Sequence, residues 1–395
     1  MQSNRGRQMS AFNFYIPTRI QSGCGLAKET GKLLKPYGIT KLLIVTDPGL
    51  RATPVVDVVL QSLKAAEIGY EIFSEVEPNP TTDVLDAAVA FIKQTGCDAV
   101  LGLGGGSSID TAKGVAAMAT NPGGILDYEG YEKLKATPLP LFVIPTTAGT
   151  GSECTASTVF TNTQTRFKTV IVSALLLPKL AILDAELTLK LPPEITAATG
   201  MDAMTHAIES YVSKQANPIS QSMALHAIKL ISQSLYKAYV VGSDVQARED
   251  MLVGSLLAGM AFAQSKLGNV HAISHTFGGV FNIPHGIANA ALLPYVIDFN
   301  IPACPEKFRD IAIAMGQDVS GLSAIDAARA VVKAVIELNA KLGIPSNTKD
   351  LGVNLGALPK MIEDSMRSGN VLVNPRITRA HDVKLIIENA YHGMF

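Results

Sequence analysis

The chain is poor in cysteine. Cys24, Cys97, Cys154 and Cys304 are the only four in 395 residues, and no two share a CxxC spacing. A disulfide framework and a thiolate metal cage are therefore not indicated, and the four read as small buried hydrophobes. Net charge is also lacking: 33 Lys and Arg face 34 Asp and Glu, for a formal charge of -1. With no local basic block, the chain has no electrostatic footprint for nucleic acid. No apolar run approaches the roughly 18 residues that a membrane helix needs, and the opening MQSNRGRQ has no apolar signal core. The expectation is a cytoplasmic protein with neither nucleic-acid nor membrane partners. HExxH and clustered Cys/His signatures are absent, so a metal site would have to be assembled from distant segments.

What is present is the composition of a globular enzyme, 47% apolar and 17% charged. A length of 395 residues exceeds one comfortable core and predicts two domains. The first half alternates short β-rich runs with helical stretches. KLLIVTD, YEIFSEV, DAVLGLG and LPLFVIP read as strands, with helical patterns between them. Continuous Val/Ile/Leu strands separated by helices indicate a parallel sheet covered on both faces, a doubly wound α/β (Rossmann-like) domain over residues 10–190. FNFYIPTRIQSG reads as a hairpin, and a hairpin at the edge could pair across a two-fold to give a homodimer.

Ligands in such folds bind beyond the carboxyl ends of the strands. After DAVLGLG come Gly104, Gly105 and Gly106, which allow a tight turn and close approach of a ligand, and Ser107 with Asp110 makes a capping-box pattern opening a helix. A helix start fed by such a turn suits a pyrophosphate, although Ser107 stands where a G-x-G-x-x-G fingerprint has its last glycine. Tight packing is the bland reading of the same loop. Asp47, at the end of KLLIVTD, could accept from ribose hydroxyls and repel a 2'-phosphate, favouring NAD over NADP; within TDPG it could equally be a turn residue. Thr146 and Thr147 open a third loop of this kind, TTAGTGSE.

Beyond Pro192-Pro193 the strand signal stops, and residues 191–395 read as an all-helical domain with apolar residues at three- and four-residue steps. Four of the seven histidines lie in two of its segments. Asp202 and His206 are spaced i,i+4 in one helical pattern, and so are His271 and His275 in another; each pair projects from one helix face. His285 follows after Pro284, at the start of an apolar run. Three imidazoles and a carboxylate suit Zn(II) or Fe(II), whereas isolated histidines in apolar helices are more often core or cap residues. A cleft between the two domains is the natural meeting place of nucleotide loops and metal residues.

GGGSSIDTAK, PTTAGTGSE, TGMDAMTHAIE and GNVHAISHTFGGVFNIPHGIANAALLP, in that order, resemble the successive motifs of the iron-containing (group III) alcohol dehydrogenases, and the resemblance runs from Phe12 onward. It implies a dehydroquinate synthase-like fold of the two domains above. The activity it implies is reversible oxidation of a small primary alcohol or diol to an aldehyde with NAD. Carried over motif by motif, it places metal ligands at Asp202, His206, His271 and His285, for Fe2+ or alternatively Zn2+. His275 becomes the further histidine near the substrate, suited to passing a proton. NAD contacts fall on Asp47, Asn79, Gly105, Gly106, Ser107, Thr146, Thr147, Thr155, Lys168 and Leu187, while Asp110 and Lys113 belong to the glycine motif and have a structural reading. Phe160 and Phe262 are candidates for a small apolar substrate pocket, with core packing as the plain alternative. Three other readings stand beside this one: a zinc polyol dehydrogenase of the glycerol type, a dehydroquinate synthase-like lyase, and a nucleotide-binding protein without catalysis.

Overall fold

The computed structural model describes residues 11–164 and 168–395. In the first half, strands and helices alternate: β1 (Arg19–Ser22), α1 (Thr30–Leu34), β2 (Lys41–Val45), α2 (Pro48–Arg51), α3 (Pro54–Ala65), β3 (Gly69–Phe73), α4 (Thr82–Thr95), β4 (Ala99–Gly104), α5 (Gly106–Met118), β5 (Gly130–Tyr131), β6 (Leu141–Pro145), β7 (Ser157–Thr161), β8 (Lys168–Val172) and β9 (Leu180–Leu183). Six of the strands form one sheet in the order β1-β9-β6-β4-β2-β3, every pairing parallel. Successive residues of a strand face opposite sides, and here both sides are covered. Leu42, Ile44, Leu101, Leu103, Phe142 and Ile144 pack into one core, while Leu43, Val45, Val100 and Val143 pack into the other. This is why the strands read as unbroken apolar runs rather than alternating ones. β2 continues to β3 on one side and to β4 on the other, so the strand order reverses there. Asp47 and the glycine loop leave the sheet at that crevice.

Three sequence expectations are corrected. FNFYIPTRIQSG does not form a hairpin: residues 11–18 carry no strand, and Arg19–Ser22 is a single edge strand running parallel to β9. An apolar run with a proline and a glycine satisfies the hairpin pattern without a partner strand of its own. Ser107 and Asp110 do not form a capping box. Helix α5 begins two residues earlier, with Gly105 as N-cap and no side-chain cap, and Asp110 accepts from Ser152 Oγ (2.7 Å) and Val159 N (3.0 Å) instead. Phe160 belongs to the core, fully buried against Gly114 and Leu85. A small second sheet, β5-β8-β7, was not expected from the sequence; β7 and β8 are antiparallel, and their burial alternates as a half-covered sheet requires.

The rest is helical: α6 (Pro193–Val212), α7 (Pro218–Val240), α8 (Val245–Ser265), α9 (Asn269–Phe281), α10 (His285–Asn300), α11 (Pro305–Ala314), α12 (Ala324–Lys341), α13 (Leu358–Arg367), α14 (Asn370–Val373) and α15 (Ala380–His392). Helix α6 is the buried axis, covered on all sides from Gly200 to Val212. Helix α8 docks on the TTAGTGSE loop backbone to backbone: a Cβ on Gly151 would lie 2.5 Å from the Cα of Gly259, so neither position has room for a side chain. Gly151 also sits at φ +61°, a conformation that glycine adopts without steric cost. This contact brings the helical half against the carboxyl ends of the strands. Among the described residues, no helix is long and apolar enough to cross a membrane.

Candidate active site

Three helices converge at the floor of the cleft. Asp202 and His206 lie one turn apart on α6, His271 and His275 one turn apart on α9, and His285 is the first residue of α10. A three-residue turn joins α9 to α10. Asn282 takes φ +56° after α9, and Pro284 enters α10 in an extended conformation, which folds His285 back toward His271. The Nε2 atoms of His206, His271 and His285 each lie 3.7 Å from the same Asp202 oxygen, Oδ1. Candidate ligand atoms of Asp202, His271 and His285 all fall within 4.8 Å of one another. The rings of His206 and His271 stack at 4.7 Å, and His275 stacks on His285 at 5.2 Å, open to the cleft.

A second layer fixes the rings. Glu209, buried two turns along α6 from Asp202, receives Val270 N–H at 2.6 Å on one oxygen and faces His271 Nδ1 at 2.6 Å with the other. His206 Nδ1 faces the Gly149 carbonyl at 3.2 Å. With Nδ1 engaged in both rings, Nε2 is the atom each ring turns toward Asp202, the orientation a metal-ligating histidine needs. Asn289, one turn after His285, points its Nδ2 at Asp202 Oδ1 (2.7 Å) and at His271 and His285 Nε2 (both 3.2 Å), while its Oδ1 is buried without a partner. One amide has two protons to give, and three acceptors face it.

The electrostatics point the same way. Burial would raise the pKa of Asp202, but the imidazoles of His206, His271 and His285 hold it well below the usual carboxylate range. Burial pushes His206 down to about 4 and His285 down to about 3, so both stay neutral. Burial opposes a charge on His271 too, yet the carboxylates of Asp202 and Glu209 on its two sides carry it up to about 9. Two buried carboxylates and three imidazoles thus rest on a single proton for balance. A divalent cation suits this donor set of one carboxylate oxygen and three imidazole nitrogens.

The cleft runs from these side chains across the strand ends, and every nucleotide residue expected from the sequence lines it: Asp47, Asn79, Gly105, Gly106, Ser107, Thr146, Thr147, Thr155, Lys168 and Leu187. At Gly104, φ is +149° and a Cβ would meet Ser108 Oγ at 2.6 Å; at Gly106 it would meet Thr150 Cγ2 at 2.6 Å. The loop is therefore shaped by glycine as close backbone packing requires, and it delivers the N-terminus of α5 to the cleft. Asp47 serves both of its readings. Its Oδ1 caps α2 through Leu50 N–H (2.8 Å), and the residue also lines the crevice beside Gly104. Lys168 Nζ donates to Asn79 Oδ1 at 2.9 Å. Thr155 is tied down by Lys113, whose fully buried ammonium donates to Thr155 O, Thr155 Oγ1 and Ser157 O at 2.8–3.1 Å. Lys113 and Asp110 therefore brace the loop from within. Phe262 is the aromatic of the substrate end, stacked on His206 at 4.5 Å and lining the cleft.

Glu209, Asn289 and the Gly149 carbonyl were not singled out from the sequence. Glu209 had a signal, since Asp202, His206 and Glu209 at i, i+4 and i+7 share one helix face. Asn289 had a weaker one, four residues after His285. A backbone carbonyl has none.

Comparison with known proteins agrees with this geometry. Residues 17–185 match the family described as "Iron-containing alcohol dehydrogenase", and residues 196–391 match "Fe-containing alcohol dehydrogenase family, C-terminal". A 1,3-propanediol dehydrogenase of Klebsiella pneumoniae is 43% identical over 383 residues, covering 96% of this chain and 99% of that protein. Among solved structures, a 1,3-propanediol oxidoreductase superposes with a TM-score of 0.95 at 42% identity, over 97% of this chain and 100% of that one. A sulfoacetaldehyde reductase from Bifidobacterium kashiwanohense, solved in complex with NAD+, gives 0.87 at 31% identity over 97% and 99%. The chain belongs to the iron-containing alcohol dehydrogenase family and is an oxidoreductase.

Proposed function

We propose that this alcohol dehydrogenase moves hydride between NAD(H) and a small primary alcohol or diol and its aldehyde, with Fe(II) as its metal. The observation that carries the reading is the convergence of three imidazole Nε2 atoms on one Asp202 oxygen at the floor of a cleft that the glycine loop enters. Asp202, His206, His271 and His285 would hold the cation; zinc is the alternative that the same donors accept. A bound cation supplies a Lewis acid that lowers the pKa of an alcohol hydroxyl.

The remaining work falls to the chain itself. The amides of Gly105, Gly106 and Ser107 at the start of α5 would receive the pyrophosphate, and Asp47 the adenosine ribose. Asn79, Thr146, Thr147, Thr155, Lys168 and Leu187 line the stretch of cleft between that loop and the histidines and would fix the nicotinamide end. The protein's contribution is orientation of the two reacting carbons. His275, stacked on His285 and one turn from His271, opens to the cleft. It would take the hydroxyl proton on a ring nitrogen and pass it to solvent.

We also propose a homodimer, through the open edge of β1 rather than a hairpin, since among the described residues β1 pairs only with β9. Sedimentation would read the mass directly.

The test of the main reading uses chelator-stripped protein with Fe(II), Zn(II) or nothing restored. NADH formation is followed on ethanol, 1-butanol, 1,2- and 1,3-propanediol and glycerol. Turnover of a short alcohol restored by one metal supports the proposal and names that metal. Absence of turnover under every metal refutes it.

A further inference from the structure

Lys266 joins the end of α8 to α9, which carries His271 and His275, at φ +58° and ψ -173°. That region of backbone space is essentially glycine's, and a lysine is kept there only where its surroundings, or a function, over-determine it. Its neighbours in sequence carry parts of the active site. Phe262, one turn earlier, stacks on His206, and His271 follows five residues later. Lys266 and its neighbour Leu267 both line the cleft. The ammonium rests over the ring of Tyr131, 5.4 Å from its centroid, so a side chain from the helical half meets one from the small sheet across the mouth. No carboxylate lies within ion-pair distance of it among the described residues. Asp364 lines the same cleft but is engaged by Lys360 at 2.8 Å and Arg367 at 3.9 Å, and Glu129 lines it without pairing with Lys266. A cation without an acid partner thus faces a pocket whose near wall is the apolar Phe262 and Leu267.

We propose that Lys266 determines substrate specificity by receiving the anionic end of a substrate whose alcohol or aldehyde lies at the histidine end of the cleft. The substrate class is a short ω-hydroxy acid and its semialdehyde. The Tyr131 ring holds the ammonium at the mouth through a cation–π contact, while Phe262 and Leu267 cover the methylenes between. The reaction at the other end rests on the dehydrogenase reading above; the binding of the anion does not.

The test pairs each acid with its neutral analogue on the metal-restored enzyme, 3-hydroxypropionate with 1,3-propanediol and 4-hydroxybutyrate with 1,4-butanediol. In Lys266→Met, kcat/KM for the acid relative to the diol should fall about 10- to 100-fold, the scale of one charge-assisted hydrogen bond, mainly through KM. Lys266→Arg should restore most of the ratio. Calorimetric titration of 3-hydroxypropionate into protein that is not turning over should show the same loss in Lys266→Met. Lys266→Gly, which removes charge and backbone strain together, should melt no lower than wild type; a lower melting point would mean that the lysine is kept for stability. The proposal is overturned if Lys266→Met leaves the acid-to-diol ratio unchanged, or if it weakens NAD as much as it weakens the acid. Should no alcohol be oxidised at all, a Lys266-dependent calorimetric signal would still support the anion site, whereas the dehydrogenase reading would fall.

Discussion

The two ends of the cleft are built on opposite principles. At the histidine end, side chains on three helices do the holding, and two of the rings are pinned by a further group, His271 by Glu209 and His206 by the Gly149 carbonyl. At the proposed nucleotide end the backbone would do the holding: glycines clear space, α5 turns its N-terminus to the cleft, and the side chains Asp110 and Lys113 brace the loop from behind. The histidine end should therefore fail abruptly when a side chain is cut. The nucleotide end should weaken by degrees, because no single side chain there carries the site.

The sharpest break of this comparison is His271→Ala. It removes one donor and leaves the buried Glu209 carboxylate without its imidazole. Loss of a metal whose charge stabilisation amounts to several kcal/mol should lower kcat/KM by about 10³-fold or more. Metal content by elemental analysis should fall with it, while NADH binding persists. Loss of NADH binding in step with the metal would show that the two ends are one cooperative unit.

Glu209→Gln tests the second layer. It keeps shape and burial, but removes the charge that fixes the His271 tautomer. Metal affinity in a chelator competition should drop by about 10- to 100-fold, the usual effect of altering such a partner. An unchanged affinity would reduce Glu209 to a cap for Val270 N–H.

How legible each end was follows from the same contrast. Helical spacing showed that Asp202 and His206 share a face, as do His271 and His275, because i,i+4 is a property of the helix itself. That the two faces and His285 meet depends on the Asn282–Pro284 turn and on α6 lying buried between its neighbours, which spacing does not encode. Family resemblance supplied that step. The glycine loop was legible as a loop, yet its N-cap was misplaced, because Ser107 and Asp110 match a capping pattern while Asp110 is drawn away by Ser152 and Val159, residues more than forty positions distant. The edge strand was misread as a hairpin because a local pattern cannot say that its partner, β9, lies far along the chain.

At the nucleotide end the expected effect is smaller. Asp47→Ser keeps a cap for Leu50 N–H but loses a charged acceptor for ribose and the repulsion of a 2'-phosphate. The ratio of kcat/KM for NAD over NADP should fall by about 10-fold, within the range of one charge-assisted hydrogen bond. A fall as large as that of His271→Ala would contradict the idea that this end is distributed over the backbone.

An effect on stability rather than on turnover separates two buried glutamates, one at each end. Glu209 is satisfied on both oxygens. Glu153, equally buried in the TTAGTGSE loop, has its pKa pushed up to about 7 by burial, against the pull of its own backbone N–H and of Lys113. A carboxyl whose folded pKa is raised contributes stability that is fully present below its unfolded value of 4.5 and is lost as pH rises through about 7. Glu153→Gln removes that titration, so at pH 9 the variant should gain up to about 3 kcal/mol relative to its standing at pH 4.5. In melting curves the difference between variant and wild type should move by a few degrees in the variant's favour between pH 5 and pH 8, roughly what such an energy gives in a chain of this size. An offset that stays constant across that window would mean that Glu153 is ionised throughout, and that Lys113 neutralises it more fully than burial opposes it.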